Sequence, residues 1–316
     1  MREIRIVFMG TPEFAVTILS GLLEEGYNVV GVITAPDRPA GRGQKLRKSD
    51  VKAYAEAHNL PILQPTNLKD TSFIEELKAL NANLQIVVAF RMLPKVVWEM
   101  PDYGTFNLHA SLLPQYRGAA PINWAIINGE TETGVTTFFI DDKIDTGEII
   151  LQEKITIDDK ENAGHLHDRL MIAGKSLVIK TVQSIENKEV KTYVQNDDFQ
   201  LKTAYKLHSE NTKINWTAPL QDIYNLIRGL SPYPSAYTIL ENGGKEQRVK
   251  IYNAFAKAES QMYIPPGAVT IADDHLAIAT PEGYICITEM QLSGKKKMAV
   301  KDLLNGYKFD KNAKMR

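Results

Sequence analysis

The sequence FNLHA contains an asparagine and a histidine two residues apart, a pair of side chains that could take part in catalysis. In a β-strand, residues i and i+2 point to the same face, so Asn107 and His109 share one side. The sequence IDDKIDTG further along offers three carboxylates: Asp141, Asp142 and Asp145. An amide or imidazolium can hold a developing oxyanion, and a carboxylate can orient a histidine and help to remove a proton. The combination suits acyl transfer, but from spacing alone loop capping and solvated Asp-rich turns are the commoner explanation.

The loop after the Asn–His pair, SLLPQYRGAAP, is punctuated by Pro114, Gly118 and Pro121. Its apolar pair, Leu112 and Leu113, would be costly to expose to water. Loops that carry apolar residues often line a pocket. We therefore expect a ligand pocket beside the Asn–His pair, unless the two leucines simply pack beneath the loop.

Strands and helices alternate in the part of the chain that must position these residues. The apolar runs IRIVFMG, NVVGVIT, LQIVVAF, GTFNLHA and GVTTFFID predict buried strands. A helix is predicted after the first strand, with Thr11 as N-cap and Gly26 at the C-terminal cap. A second is predicted in TSFIEELKALN, where Ser72 and Glu75 have the spacing of a capping box. A long amphipathic helix is predicted over about 162–187. This alternation predicts an open, mainly parallel α/β sheet, which binds ligands at the carboxyl ends of its strands.

The pattern changes after about residue 190. The polar, aperiodic sequence KTYVQNDDFQLKTAYKL predicts a linker. One helix near PLQDIYNLIRGL and several short strands with turn signals follow, which predicts a small antiparallel barrel. We predict a catalytic domain over 1–190, a linker over 191–205 and a barrel domain over 206–316.

Positive charge is concentrated in the loop APDRPAGRGQKLRKSD. From Arg38 to Ser49 it holds five basic residues and no acid, and its prolines and glycines predict irregular structure. Residues 206–316 carry 15 Lys and Arg against 11 Asp and Glu, whereas residues 1–205 carry 22 against 27. A basic loop beside a pocket and a basic C-terminal part suit a phosphate backbone. A solvated surface loop is the alternative.

Composition and motifs disfavour several classes of protein. The single cysteine, Cys286, excludes an internal disulfide and a Cys-rich metal site, and we expect a reducing compartment, the cytoplasm. His165 and His167 would face different ways on a helix, so no metal is expected. No apolar run reaches the roughly 18 residues of a membrane span, and the N-terminus has no signal-peptide run. The glycine fingerprint of dinucleotide-binding proteins and the Walker A sequence are both missing.

Longer motifs run through the whole chain in a fixed order: GTPEFA, TAPDRPAGRGQKL, FNLHASLLPQYRGAAPINWAIINGE, TGVTTFFIDDKIDTG, AGHLHDRL, LSPYPSAY and QLSGKKKM. Through them the chain closely resembles the bacterial methionyl-tRNA formyltransferase family. The N-terminal half also resembles glycinamide ribonucleotide formyltransferase and other enzymes that use formyltetrahydrofolate. The resemblance implies an α/β fold, with a Rossmann-like formyltransferase domain followed by an OB-like barrel.

The resemblance also implies roles for individual residues. The family's catalytic triad matches Asn107, His109 and Asp145. Its folate-binding loop matches Ser111, Leu112, Leu113 and Pro114. Arg42 matches the loop that enters the acceptor end of the tRNA, and we expect Lys45 and Lys206 to bind tRNA as well.

The implied reaction is transfer of the formyl group of 10-formyltetrahydrofolate to the α-amino group of initiator methionyl-tRNA. We expect a monomeric enzyme that needs no metal and no membrane. Protonated His109 and Asn107 would stabilise the oxyanion, and Asp145 would orient His109, directly or through water. Three positions depart from the family's pattern: Arg91, in the segment that lines the pterin pocket, Ala110 and Lys143.

Three rival functions stay open at this point. An amino-sugar formyltransferase would share the chemistry and change the acceptor, but the basic loop and the basic C-terminal part favour tRNA. A non-catalytic RNA-binding protein could use the barrel, but it would not need the Asn–His–Asp set. A nicotinamide oxidoreductase is disfavoured by the missing glycine fingerprint.

Overall fold

The computed structural model describes residues 3–40, 45–196, 200–259 and 264–316. Two compact units form. The first comprises Met1–Gly118, Gly134–Ile155 and Asp168–Thr203, and the second comprises Ala119–Thr133, Thr156–His167 and Ala204–Arg316. The domain boundaries predicted above stay a prediction.

Strands and helices alternate along the first two thirds of the chain. The strands are β1 (Arg5–Gly10), β2 (Asn28–Ile33), β3 (Arg38–Ala40), β4 (Lys45–Arg47), β5 (Ile62–Leu63), β6 (Leu84–Val88), β7 (Thr105–His109), β8 (Arg117–Gly118), β9 (Glu132–Phe139) and β10 (Ile149–Thr156). The helices are α1 (Glu13–Glu24), α2 (Asp50–Ala57), α3 (Thr71–Ala79), α4 (Lys95–Trp98), α5 (Pro121–Ile127) and α6 (Ala163–Asn187).

Strands dominate the remainder. They are β11 (Thr203–Ala204), β12 (Ala236–Asn242), β13 (Lys245–Ala258), β14 (Val269–Ile271), β15 (Leu276–Thr280), β16 (Gly283–Leu292), β17 (Met298–Ala299) and β18 (Lys314–Met315). The helices are α7 (Ser209–Thr212), α8 (Leu220–Leu230) and α9 (Val300–Leu304).

The main sheet has the strand order β10-β9-β7-β6-β1-β2-β5. From β7 to β5 all neighbours are parallel, and β9 runs antiparallel to β7. Ile6, Val7, Phe8 and Met9 of β1 are all fully buried, as expected for a parallel strand that is covered on both faces. The chain order reverses between β1 and β6, and open α/β sheets bind ligands in the crevice outside the carboxyl ends of the strands at such a point. The prediction of a mainly parallel α/β sheet is confirmed.

The predicted helices form, but two of their caps are wrong. Pro12, not Thr11, is the N-cap of α1, and it offers no side-chain acceptor. Asp70 is the N-cap of α3, so Ser72 lies inside the helix and forms no capping box. Gly26 does follow the end of α1 in the left-handed conformation, with φ +78°.

The long helix α6 confirms the predicted amphipathic pattern over 162–187. Its apolar residues at helical spacing are buried: Leu166, Leu170, Ala173 and Leu177. Burial of this continuous stripe against the core stabilises the helix more than its intrinsic propensity does.

The basic loop is more regular than predicted, because β3 and β4 pair as an antiparallel hairpin. Arg38 lies opposite Arg47, and Pro39 lies opposite Leu46. For Arg38–Ala40 and Lys45–Arg47 the prediction of irregular structure was wrong, because a two-stranded ribbon needs the N–H groups of only one edge of each strand and so tolerates a proline. The two glycines of the loop lie outside the described residues.

The second unit contains an antiparallel barrel with the strand order β14-β15-β16-β13-β12-β18, and β17 pairs with β16. Ala268, next to β14, forms a bridge with Lys314 in β18, which nearly closes the barrel. Closure pairs the backbone groups that an open edge would leave exposed. The predicted small antiparallel barrel is confirmed. Within the described chain, no helix combines the length and the apolar character needed to cross a membrane.

Candidate functional site

The Asn–His pair lies at the carboxyl end of β7, next to the strand that borders the crevice. His109 is only 6% exposed, whereas Asn107 is half-buried. The side-chain oxygen of Asn107 is buried and accepts no hydrogen bond from the described residues. Because buried polar atoms are almost always paired, this orphaned acceptor is an expected contact point for a ligand N–H group.

The proton position on His109 follows from its partner. His109 Nε2 lies 2.8 Å from the carbonyl oxygen of Tyr116. A carbonyl can only accept, so Nε2 carries the hydrogen and Nδ1 is the nitrogen that can change its proton state. Tyr116 is buried and has a left-handed backbone, with φ +61°. Sequence reasoning missed this partner, because no pattern shows which backbone carbonyl a histidine will meet.

Of the three candidate carboxylates, the structure brings Asp145 to the histidine. Asp145 Oδ2 accepts a hydrogen bond from the backbone N–H of Gly118 at 3.0 Å and lies 3.9 Å from His109 Nδ1. Asp141 instead accepts from the Thr146 hydroxyl and the Lys143 backbone, which makes it part of the loop's own turn. Asp142 is exposed.

The distance between Asp145 and His109 is about 1 Å longer than a hydrogen bond. Hydrogen bonds in active sites are often long before substrate binds and shorten in the reacting complex. The remaining gap is also short for a bridging water, which would have to sit about 2.8 Å from both atoms at a strongly bent angle. We therefore expect a direct contact in the reacting complex.

Left-handed backbone conformations cluster in the loops around the site. Ala89 after β6, Tyr116 and Asp145 have φ values of +48°, +61° and +56°. Such conformations cost about 1–3 kcal/mol each for residues other than glycine, and they persist where the surroundings hold them. Their concentration beside the crevice indicates loops shaped for a function.

The four residues predicted to bind folate form the loop directly after β7. Ser111 is fully buried, and its hydroxyl donates to the Gln115 carbonyl at 2.6 Å. Leu113 is buried against Phe138 and Ile149. Leu112 and Pro114 are half-buried, so they retain surface that a ligand could contact.

Arg91, which departs from the family's pattern, reaches away from the end of β6. Its guanidinium donates to the carbonyl of Thr66 at 2.8 Å and to that of Pro65. Partial burial lowers the pKa of Arg91, and the nearby Arg38 acts in the same direction. The arginine thus connects the loops that follow β5 and β6.

The three residues predicted to bind tRNA belong to different parts of the chain. Arg42 lies outside the described residues. Lys45 is the first residue of β4, in the hairpin. Lys206 is exposed in the second unit, where its carbonyl accepts from the Asn211 side chain at 2.9 Å.

A metal site is not formed by the residues that the structure describes, since they contain no group of three His, Cys, Asp or Glu side chains suited to hold an ion. The chemistry offered by the site comes from an amide, an imidazole and a carboxylate. This set can bind a nucleophile, stabilise negative charge on oxygen and take up a proton.

Comparison with known proteins identifies relatives for both parts of the chain. A family model described as "Formyl transferase" matches residues 4–182, and one described as "Formyl transferase, C-terminal domain" matches residues 206–308. The methionyl-tRNA formyltransferase of Flavobacterium johnsoniae is 61% identical, with 100% of both chains covered. That of Bacteroides thetaiotaomicron is 50% identical, with 99% of this chain and 98% of the relative covered.

Solved structures resemble the fold at much lower identity. HypX from Aquifex aeolicus matches with a TM-score of 0.67 and 19% identity over 98% of this chain and 51% of its own. WlaRD, a sugar 3N-formyl transferase, matches with a TM-score of 0.63 and 23% identity over 94% of this chain and 100% of its own. These two likenesses show the fold alone.

Proposed function

This chain belongs to the methionyl-tRNA formyltransferase family, and we propose that it transfers the formyl group of 10-formyltetrahydrofolate to the α-amino group of initiator methionyl-tRNA. Full-length identities of 50–61% to named family members support this acceptor. The family model and a structural neighbour determined in complex with tetrahydrofolic acid support a folate donor. The reaction would supply formylated initiator for translation.

The observation that supports formyl transfer most directly is the set of Asn107, His109 and Asp145 at one end of the sheet. The attacking amine has N–H groups, which are the donors that the orphaned Asn107 oxygen needs. The NH₂ of the same amide can donate to the formyl oxygen as it becomes negative. One side chain would thereby orient the nucleophile and stabilise the charge.

His109 and Asp145 would handle the proton and the charge. The methionine nitrogen forms a bond to the formyl carbon, and the bond from that carbon to the donor's nitrogen then breaks. The amine must lose a proton, while the departing nitrogen gains one. His109, with Nδ1 able to gain or lose a proton beside the Asp145 carboxylate, is suited to this transfer. A protonated ring would also place positive charge near the oxyanion.

The test is to incubate the protein with 10-formyltetrahydrofolate and initiator methionyl-tRNA and to look for N-formylmethionyl-tRNA. We expect product with the native protein and very little with the Asn107→Ala variant. A folded native protein that makes no product would refute the proposal.

An amino-sugar acceptor is the second candidate, because a sugar 3N-formyl transferase shares this fold. The two acceptors are distinguished by competition: we expect initiator methionyl-tRNA to be used with a much higher kcat/KM than a nucleotide-linked amino sugar. A higher kcat/KM for the sugar would reverse the assignment.

We further propose that the enzyme acts in the cytoplasm as a monomer and without a metal. The three proposed catalytic side chains supply the chemistry by themselves, and the sequence has one cysteine and six histidines from which to build a metal site. Activity should therefore survive prolonged dialysis against a chelator. Loss of activity that one specific metal restores would contradict this.

A further inference from the structure

A buried glutamine outside the proposed catalytic set joins the loops that carry it. The side-chain oxygen of Gln195 accepts hydrogen bonds from Arg117 Nε at 3.0 Å and Nη2 at 2.7 Å. Its side-chain nitrogen donates to the backbone oxygens of Asp145 at 2.9 Å and Gly147 at 2.8 Å. An amide has two donor hydrogens and an oxygen with two lone pairs, so its full capacity is used. Gln195 is only 7% exposed.

Gln195 connects the segment around Arg117 with the segment that contains Asp145 and Gly147, and both segments contact or contain the proposed catalytic residues. Arg117 stands between Tyr116, whose carbonyl binds His109, and Gly118, whose N–H binds the Asp145 carboxylate. Gln195 therefore binds two parts of the loop region at once. Through Arg117 it holds the segment whose Gly118 N–H donates to the Asp145 carboxylate, and through its own NH₂ it holds the backbone of Asp145. The amide thus fixes both ends of the hydrogen bond between Gly118 and Asp145.

The backbone of Asp145 needs such support. Its φ of +56° is left-handed, a conformation that costs free energy for a residue with a side chain, although aspartate tolerates it better than most residues. Without the two bonds to the Asp145 and Gly147 carbonyls, the loop can relax toward ordinary dihedrals. That relaxation would swing the carboxylate away from His109 Nδ1, and a displacement of about 1 Å can lower a catalysed rate about 100-fold.

We propose that Gln195 is a positioning residue for formyl transfer, which acts by holding the Asp145 carboxylate toward His109. The inference rests on the proposed catalytic role of Asp145. Gln195 lies in the stretch 191–205 that the sequence suggested was only a linker.

Two substitutions separate the parts of this role. Gln195→Met keeps the length of the side chain and removes all four hydrogen bonds. Gln195→Glu keeps an acceptor for Arg117 but replaces the two donor hydrogens with an oxygen that repels the Asp145 and Gly147 carbonyls. We expect each to lower the single-turnover rate at saturating substrates by about tenfold to 100-fold. The Kd for tRNA should stay within about twofold. Val194→Ala, at an exposed neighbouring position, is the matched control and should keep the native rate.

A double-mutant cycle distinguishes positioning from a general effect on the fold. In the Asp145→Ala background the carboxylate to be positioned is absent, so Gln195→Met should lower the rate no further. If Gln195→Met lowers the rate by the same factor in both backgrounds, or if Gln195→Glu keeps the native rate, the positioning role is refuted. Should Gln195→Met fail to fold, as judged by its thermal unfolding, the same cycle is run with Gln195→Glu.

The Asp145→Ala variant alone tests the premise. If its single-turnover rate is near native, the proposed catalytic set is wrong, and the role of Gln195 is refuted with it. If Asp145→Ala is slow while both Gln195 variants are fast, the catalytic set stands and only the inference about Gln195 is refuted.

Discussion

His109 already uses its Nε2 hydrogen on the Tyr116 carbonyl, which limits how it can act on a substrate. A protonated ring in this orientation would stabilise an oxyanion by its charge, because the Tyr116 carbonyl holds the Nε2 hydrogen and Nδ1, 3.9 Å from Asp145, is left for the proposed proton transfer. The side-chain oxygen of Asn107, in contrast, accepts no hydrogen bond from the described residues. At the scale of single residues, Asn107 is therefore the group best placed to touch the reacting atoms, and His109 and Asp145 act as a pair beside it.

We expect Asn107→Ala, His109→Ala and Asp145→Ala each to lower the single-turnover rate by about 100-fold or more, the loss typical of oxyanion stabilisers. The Kd for tRNA should change little, because we propose that these side chains act on the reacting atoms and not on the body of the tRNA. Rapid-quench measurement of formylmethionyl-tRNA, with Asp142→Ala as the exposed control on the same loop, gives the comparison. Near-native rates for the first three variants would show that the assignment is wrong.

At the scale of elements, the sequence was informative where periodicity reports burial. The strands β1, β2, β6, β7 and β9 and the helix α6 follow from apolar patterns, because a strand or helix must bury its apolar face to form. The crevice at the carboxyl ends follows from the parallel order of the sheet. The family resemblance then indicated which of the three carboxylates, Asp141, Asp142 and Asp145, is expected to act with His109, namely Asp145.

The parts that could not be predicted depend on long-range contacts of the backbone. The Tyr116 carbonyl contacts His109 and the Gly118 N–H contacts Asp145, yet every residue type except proline carries both of these groups. Gln195 is separated from Asp145 by 50 residues, so no local pattern connects them. The caps of α1 and α3 were misplaced by one or two residues, since several neighbouring residues in each case could serve.

Gly147 should be essential to the loop that carries Asp145. A Cβ atom at this position would lie 1.7 Å from the Phe139 carbonyl oxygen, so the loop would have to move. We expect Gly147→Ala to lower the free energy of unfolding by about 1–3 kcal/mol and to lower the rate of formyl transfer. Gly306→Ala is the control, because a Cβ there meets nothing within 4 Å. Urea unfolding and single-turnover assays of both variants provide the measurement, and equal behaviour would contradict the prediction.

At the scale of the whole molecule, the second unit is assembled from separated parts of the chain. In that unit, the Asn123 side chain donates to the Gly229 carbonyl at 2.8 Å and Trp124 Nε1 donates to the Tyr205 carbonyl at 2.7 Å. Truncating the chain at Lys206 would therefore remove a partner of α5 along with the barrel. Single charge substitutions in the intact chain are the cleaner way to examine tRNA binding.

The one cysteine reports on the barrel. Cys286 lies in β16 and is 1% exposed, and burial raises the pKa of its thiol. Because the thiolate is the reactive form, a raised pKa means less thiolate at pH 8 than a free cysteine would have. We expect almost no reaction with an aromatic disulfide reagent in the native protein and rapid, stoichiometric reaction in 6 M urea. The urea concentration at which half of the thiol reacts should match the urea midpoint for unfolding of the barrel. Fast labelling of the native protein would contradict this.

The basic hairpin formed by β3 and β4 places Arg38 directly opposite Arg47, and both are exposed. Like charges opposite one another destabilise a pair of strands. An anion bound between them would relieve this repulsion, and we propose that the hairpin binds a phosphate. The hypothesis that Arg42 positions the acceptor end of the tRNA concerns a residue outside the described ranges, and kinetics can test it without a structure.

The effects of single substitutions distinguish a residue that positions the acceptor end of the tRNA from one that only attracts its phosphates. Arg38→Ala and Arg47→Ala should weaken tRNA binding, and removing one charge that binds a phosphate should reduce the slope of log K against log salt by about 0.7–0.9. At saturating tRNA their maximal rates should be near native. Arg42→Ala should also lower the maximal rate, because orienting the acceptor end lowers the barrier as well as the Kd. Lys78→Ala, an exposed charge on α3, is the control and should change neither quantity. If Arg42→Ala behaves like that control across the salt series, Arg42 has no positioning role, and the case for tRNA over a sugar acceptor is weaker.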